Sequence, residues 1–245
     1  MEPGTSWPAA TLPRSVRPDG RLRLVIFDCD GVLIDSEGPS CRVVARELRQ
    51  IGVELDDEAA VERLAGRALT RIKTEMEAET GRVLPDDWAA VVQQKLVELM
   101  QREARVIDGA HGMLTAVIGL DLPVRVGSNS SIAEMDVKFA RTGLDRFVAD
   151  RIHSARDMGK PKPDPAVYLH AAEIEGVAPD ECIVLEDTDT GASAARAAGM
   201  ACVLLRPLDL PAPDWPGLFR IAHLSEFAPL LERILAAQAS GGTRS

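Results

Sequence analysis

Four short polar segments hold most of the chemistry in this chain. Asp28-Cys29-Asp30-Gly31-Val32-Leu33-Ile34-Asp35-Ser36 follows an apolar run at 22–27, Ser128-Asn129-Ser130 follows one at 123–127, and Glu186-Asp187-Thr188 follows one at 182–185. Between the last two lies Gly159-Lys160-Pro161-Lys162-Pro163-Asp164-Pro165. If these loops converge they supply four acids, a hydroxyl and a lysine. Clustered carboxylates repel unless a cation holds them. An all-oxygen donor set favours a hard ion such as Mg²⁺. Mg²⁺ beside Lys and Ser points to a phosphoryl group. A carboxylate can attack phosphorus and form an aspartyl-phosphate, splitting one hard displacement into two easier ones. A second carboxylate two residues on, facing the same side of an extended segment, can protonate the leaving oxygen and later deprotonate water.

The elements that must bring these loops together are legible in the hydrophobic pattern. The run at 22–27 reads as a buried strand ending in a polar loop. From about 40 to 105 the apolar residues recur at helical spacing: Val43, Val44, Leu48 and Ile51, then Leu64, Leu69, Ile72 and Met76, then Trp88, Val92, Leu96 and Leu99. That block is all helix. Strands return at 123–127, 182–185 and 201–205, with a weaker one near Ile152. Helices alternate with them, one opening at Ser131 with Glu134 three residues on in a capping-box pattern. Alternating strand and helix implies a parallel sheet covered on both faces, with ligands beyond the carboxyl ends of its strands. The fold expected is α/β, a Rossmann-like parallel sheet at 21–37 and 107–240, with an inserted helical cap at 38–106. Residues 1–20, with Pro3, Pro8, Pro13 and Pro18, read as a disordered tail, and 241–245 as a flexible one.

Composition limits the partners. The chain has 245 residues, 46% hydrophobic and 27% charged, enough for one large core. A net charge of −10 makes it a poor general ligand for nucleic acid or an anionic membrane, so an anionic substrate needs locally concentrated positive charge. No apolar run is long enough to span a bilayer, and no secretion signal is visible. The four cysteines, at 29, 41, 182 and 202, lack metal or disulfide spacing, as expected of reduced thiols in a cytoplasmic protein, a monomer or weak homo-oligomer. Cys29 should point into the core between the two acids.

With these motifs in this order, the sequence resembles a haloacid dehalogenase-superfamily phosphohydrolase with a helical cap inserted after its first motif, over roughly residues 22–225. The first motif, DxDGxLxDS, is the specific one; the serine, lysine-proline and Glu-Asp pieces gain weight in its company. The resemblance implies Asp28 as nucleophile and Asp30 as general acid/base. It implies Mg²⁺ held by Asp28, the Asp30 carbonyl and Asp187, with Glu186 close by. Ser128 and the Asn129 amide would bind phosphoryl oxygens, and Lys160 would neutralise charge. Lys162 falls too late in the motif and is expected in solvent.

Specificity should reside in the cap. Arg67, after Gly66 in a break between helices, and Lys95 are the candidates. The expected activity is Mg²⁺-dependent hydrolysis of a small phosphorylated metabolite, a sugar or sugar-acid phosphate. A β-phosphoglucomutase-like mutase is the runner-up, but such mutases carry a histidine where this chain has Ser40. A phosphonate-cleaving relative would need a cap lysine near the first motif, and no lysine precedes Lys73. A silent binding module would have no reason to gather five such groups at a cost in stability.

Overall fold

The computed structural model describes residues 7–64 and 67–241. Strand β1 (Leu24–Phe27) leads through a loop to β2 (Ile34–Asp35), then to helices α1 (Glu37–Gln50), α2 (Asp57–Leu64), α3 (Leu69–Thr80) and α4 (Trp88–Glu103), and back through β3 (Arg105–Val106). β2 and β3 pair antiparallel, Ile34 opposite Val106, so the helical insert leaves and rejoins the core at one point. The chain then alternates: α5 (Ala110–Ile118), β4 (Val124–Ser128), α6 (Ile132–Thr142), α7 (Asp145–Val148), β5 (Ile152–Ser154), α8 (Ala166–Glu175), β6 (Cys182–Glu186), α9 (Asp189–Ala197), β7 (Ala201–Leu205), β8 (Leu218–Ile221) and α10 (Phe227–Gly241). The architecture is the α/β sheet with a helical cap that the sequence predicts.

The sheet runs β5-β4-β1-β6-β7-β8, with every pairing parallel. Its central strands β1, β6 and β7 are almost wholly apolar because both faces are covered. In β1, Val25 and Phe27 join one core layer while Leu24 and Ile26 join the other; Ile183 and Leu185 of β6 alternate with Cys182 and Val184 in the same way. Phe27 is fully buried and meets Phe227 of α10 edge-to-face at 5.9 Å. The chain moves outward from β1 to β4 and β5, then crosses to β6 on the other side. The loops after β4, β1 and β6 therefore open side by side at one edge, where α/β sheets bind ligands.

Two features depart from the sequence expectation. β8 is a half-exposed edge strand with no clean alternation, and the pattern misses it. The proline-rich N-terminus is ordered over residues 7–20, although prolines do prevent regular helix or strand there. Two 3-10 turns, Ala9–Thr11 and Arg14–Val16, form instead. They are pinned by Gln238 of α10, whose amide donates to the carbonyls of Ser15 and Arg17 at 3.1 Å, and by an Arg14–Glu181 pair at 3.0 Å. Irregular backbone held by a glutamine and an ion pair from distant elements carries no periodic signal. Residues 1–6 and 242–245 of the expected tails lie outside the described residues, while Gly241 closes α10. Among the described residues, no helix is long and apolar enough to cross a membrane.

Candidate active site at the sheet edge beneath the cap

β1 ends at Phe27, and the next residue, Asp28, sits at the base of the crevice, only 6% exposed. Its Oδ1 accepts a hydrogen bond from Lys162 Nζ at 2.6 Å. The same ammonium reaches Oε1 of Glu186, the last residue of β6, at 2.7 Å. Tyr168 of α8 lies beneath, with the Lys162 Nζ 4.7 Å from its ring centroid and its hydroxyl donating to Glu186 Oε1 at 2.9 Å. The other Glu186 oxygen, Oε2, accepts from the backbone N–H groups of Asp187 and Thr188 and from the Thr188 hydroxyl, each at 3.0 Å. Every acceptor of this buried acid is therefore engaged, as a buried charge requires.

The electrostatics follow. The Asp28 carboxyl is raised to about 7: burial pushes it up most, Lys162 pulls it down, and the Glu186 and Asp30 charges add to the rise. Glu186 is also raised by burial, but Lys162 and its ring of donors outweigh that and hold it below its ordinary value. Burial works against the Lys162 ammonium, yet Asp28 and Glu186 raise it above a free lysine, so it stays charged.

Asp30 lies on the opposite wall. Its Oδ1 accepts from Lys138 Nζ of α6 at 2.6 Å and from the Ser36 hydroxyl, and its Oδ2 accepts from Ser130 Oγ at 2.7 Å. Ser128 Oγ stands 3.5 Å from the same Oδ2 and accepts from the Ser130 N–H at 3.0 Å. Burial raises the Asp30 carboxyl, but the Lys138 charge and the bonds from Lys138, Ser36 and Ser130 prevail and hold it low. Ser131 caps α6 through a 3.2 Å bond from the Glu134 N–H. The Glu134 carboxylate does not close the expected box: it turns to Lys138, one helical turn on, at 2.6 Å.

Asp28, Glu186 and Asp187 each offer a carboxylate oxygen, all within 4.8 Å of one another. Carboxylate oxygens gathered this closely are the donor set that a hard, oxygen-ligated cation takes. The loop is shaped for their approach. Gly31, at φ +79°, passes so close to Asp187 that a Cβ there would fall 2.0 Å from its Oδ2. Gly191 at the start of α9 plays the same part for Glu186, since a Cβ would sit 1.6 Å from Oε1. Gly191→Ala is therefore expected to push Glu186 off Lys162 and cost about 1–3 kcal/mol of stability by overpacking, measurable by urea unfolding.

A cavity of about 370 Å³ separates these walls from the cap. Asp28, Asp30, Ser128, Asn129, Lys162 and Glu186 line its floor, and α1, α3 and α4 form its roof. Residues 22–199 match the family model described as haloacid dehalogenase-like hydrolase.

The chain belongs to the haloacid dehalogenase-like hydrolases. Within that family it is 32% identical over 181 residues to the 6-phosphogluconate phosphatase of Escherichia coli (strain K12), covering 74% of this chain and 80% of the relative. It is 31% identical over 194 residues to the fructose-1-phosphate phosphatase of the same organism, covering 75% and 96% respectively. A crystallised family hydrolase from Deinococcus radiodurans R1, with bound phosphate and sodium, superposes with a TM-score of 0.67 at 27% identity, covering 88% of this chain and 97% of that one.

Against this haloacid dehalogenase-like frame, three sequence expectations are corrected. Lys160 is exposed and absent from the cavity wall; Lys162, expected in solvent, is the buried lysine on Asp28. Lys160 donates its N–H to the Ala155 carbonyl and Lys162 its N–H to Asn129 Oδ1, so the loop turns inward only at the second lysine. Lys95 does not reach the cavity: its ammonium pairs with Glu47 of α1 at 2.5 Å, tying α4 to α1. Arg67 does line the cavity, though its guanidinium pairs with Glu75 at 2.7 Å, and Gly66 lies outside the described residues. Cys29 is buried in the core and Trp88 in the cap, as expected. Sequence reasoning passed over Lys138, Ser130 and Tyr168. The one available signal was a lysine on the apolar face of α6, beside Met135 and Phe139, where a solvated lysine has no place.

Proposed function

We propose that this haloacid dehalogenase-like hydrolase is a Mg²⁺-dependent phosphatase of a small phosphorylated metabolite, a sugar or sugar-acid phosphate, acting through an aspartyl-phosphate on Asp28. The observation that carries the reading is the facing pair of carboxylates, Asp28 on Lys162 and Asp30 on Lys138, across one cavity roofed by the cap. The 6-phosphogluconate and fructose-1-phosphate phosphatases among the relatives support the substrate class.

In the first half-reaction an Asp28 carboxylate oxygen attacks phosphorus as the bond to the leaving oxygen breaks, and Asp30 gives that oxygen a proton. In the second, water attacks phosphorus, the bond to Asp28 breaks, and Asp30 takes the proton from water. Lys162 offsets charge on Asp28, and Ser128 with the Asn129 N–H holds phosphoryl oxygens. Asp28, the Asp30 carbonyl, Asp187 and nearby Glu186 would hold Mg²⁺, which when bound offsets charge on the phosphoryl oxygens. Binding in solution rather than at a membrane or nucleic acid fits the acidic surface, and the cytoplasm is the matching compartment.

The runner-up, a phosphomutase, needs a second substrate hydroxyl to outcompete water at the phosphorylated Asp28. Ser40, in the position where such mutases carry histidine, lines the cavity, and no histidine stands with it among the described residues. The test is a phosphomonoester panel scored by release of inorganic phosphate. Release from 6-phosphogluconate or fructose 1-phosphate that needs Mg²⁺ and stops with chelator is the expected result. No Mg²⁺-dependent release from any member would sink the reading, and isomer formation without release would replace it with the mutase.

A further inference from the structure

Lys138 is a fully buried lysine that the reaction as described above does not use. Its ammonium makes three contacts: Asp30 Oδ1 at 2.6 Å, Glu134 Oε1 at 2.6 Å and Ser130 Oγ at 2.9 Å. That uses each of its three protons. Ser130 in turn donates to Asp30 Oδ2 at 2.7 Å, so one lysine fixes both oxygens of Asp30, one directly and one through a serine. Glu134 is itself fixed, because its Oε2 accepts from Gln93 Nε2 of the cap helix α4 at 2.6 Å. The lysine side chain is 1% exposed and Glu134 6%, while Asp30 keeps 24% of its surface open toward the cavity. A buried ammonium is costly to maintain unless paired, and here it is paired with two carboxylates that line the cavity, Asp30 and Glu134. A carboxylate so held, with donors on both oxygens, keeps one fixed orientation at the cavity wall.

We propose that Lys138 is a positioning residue that holds Asp30 as the fixed base of the second half-reaction. The proposal rests on the Asp30 assignment above. In that step the water oxygen bonds to phosphorus, the phosphorus–oxygen bond to Asp28 breaks with its electron pair returning to the Asp28 carboxylate, and the water proton passes to Asp30. Asp30 then hands that proton to the leaving oxygen of the next substrate, so the cycle balances without another acid. Lys138 does not line the cavity; it acts through Asp30.

The test is pre-steady-state kinetics with Mg²⁺ and 4-nitrophenyl phosphate, whose phenolate leaves without protonation. Lys138→Met should leave the first step within about threefold of parental and slow the second about 100-fold, the range of a lost general base. The signature is a burst near one 4-nitrophenolate per enzyme, with kcat and KM falling together and kcat/KM nearly unchanged. A structural lesion would lower kcat/KM and give no burst. Lys138→Met leaves Glu134 without its cation, so Lys138→Met/Glu134→Gln is measured beside it. The double variant carries no orphaned carboxylate at 134 and should show the same burst. Asp30→Asn serves as the reference. If it bursts and neither Lys138 variant does, the proposal fails while the Asp30 assignment stands. If Asp30→Asn itself shows no burst, the assignment fails and takes the proposal with it.

Discussion

Asp28→Asn is expected to abolish phosphate release, by at least about 10⁴-fold, because it removes the carboxylate that the proposed reaction uses as nucleophile. The other two floor carboxylates are already engaged, Asp30 by Lys138, Ser36 and Ser130 and Glu186 by Lys162, Tyr168, Thr188 and the 187–188 backbone, so neither is free to take up the phosphoryl group in place of Asp28. The same substitution should make the metal-free protein more stable above neutral pH. Folded Asp28 titrates near 7 against an ordinary 3.8. Between those values the unfolded chain has lost the proton that the native chain keeps, so native stability falls as pH rises through the window and stays reduced above it. Asparagine removes that loss. Set against the weaker pairing with Lys162, the gain is on the order of 2 kcal/mol at pH 8, or about 5 °C in melting temperature. It should vanish near pH 4. Thermal unfolding with and without Mg²⁺ checks both halves: the ion should raise the parental melting temperature and do little for the variant. Residual turnover at the parental rate would remove Asp28 from the reaction.

The parts of the fold that announced themselves did so through strong periodicity. β1, β4, β6 and β7 are buried on both faces and read as apolar runs, and α1, α3 and α4 carry stripes that nothing interrupts. The acids were legible because they cluster at strand ends, Asp28 and Asp30 just after β1 and Glu186 and Asp187 at the end of β6, and a strand end is a place the pattern locates well. Lysines were not. Lys160 and Lys162 differ by two residues in a proline-rich loop with no periodicity. Which one turns inward depends on two backbone bonds, Lys160 N–H to Ala155 and Lys162 N–H to Asn129, that no local pattern encodes. Lys138 was hidden differently: within a helix a lysine reads as surface, and only its neighbours Met135 and Phe139 mark its face as buried. Lys95 looked free because its partner, Glu47, lies 48 residues away on another helix. Side-chain pairings across elements are set by tertiary packing, and local sequence is silent about them.

Lys162→Met should be the most damaging change outside Asp28 itself, in fold as well as in rate. The methionine keeps the length and the contact with the Tyr168 ring but removes the only ammonium between Asp28 and Glu186 among the described residues. Both acids are buried, at 6% and 1% exposure, so neither can recover its solvation in water. Removing one partner of a buried ion pair costs about 3–5 kcal/mol, far more than the net worth of the pair, because the remaining charge is stranded. Here two charges are stranded together. The loss should deepen from pH 5 to pH 8, since the unfolded chain ionises both acids freely while the native chain must hold a proton or bear the repulsion. Turnover should fall at least about 100-fold, as when a positioned electrostatic contact is removed. Added Mg²⁺ should restore part of the stability, because a divalent ion among Asp28, Glu186 and Asp187 supplies some of the missing charge. Lys160→Met is the matched control, two residues earlier and exposed, with an expected change within about 0.5 kcal/mol and near-parental turnover. Urea unfolding and phosphate release on the pair of variants separate the two lysines. Equal effects from both would mean that the loop does not turn inward at Lys162, and the charge on Asp28 would then need another source.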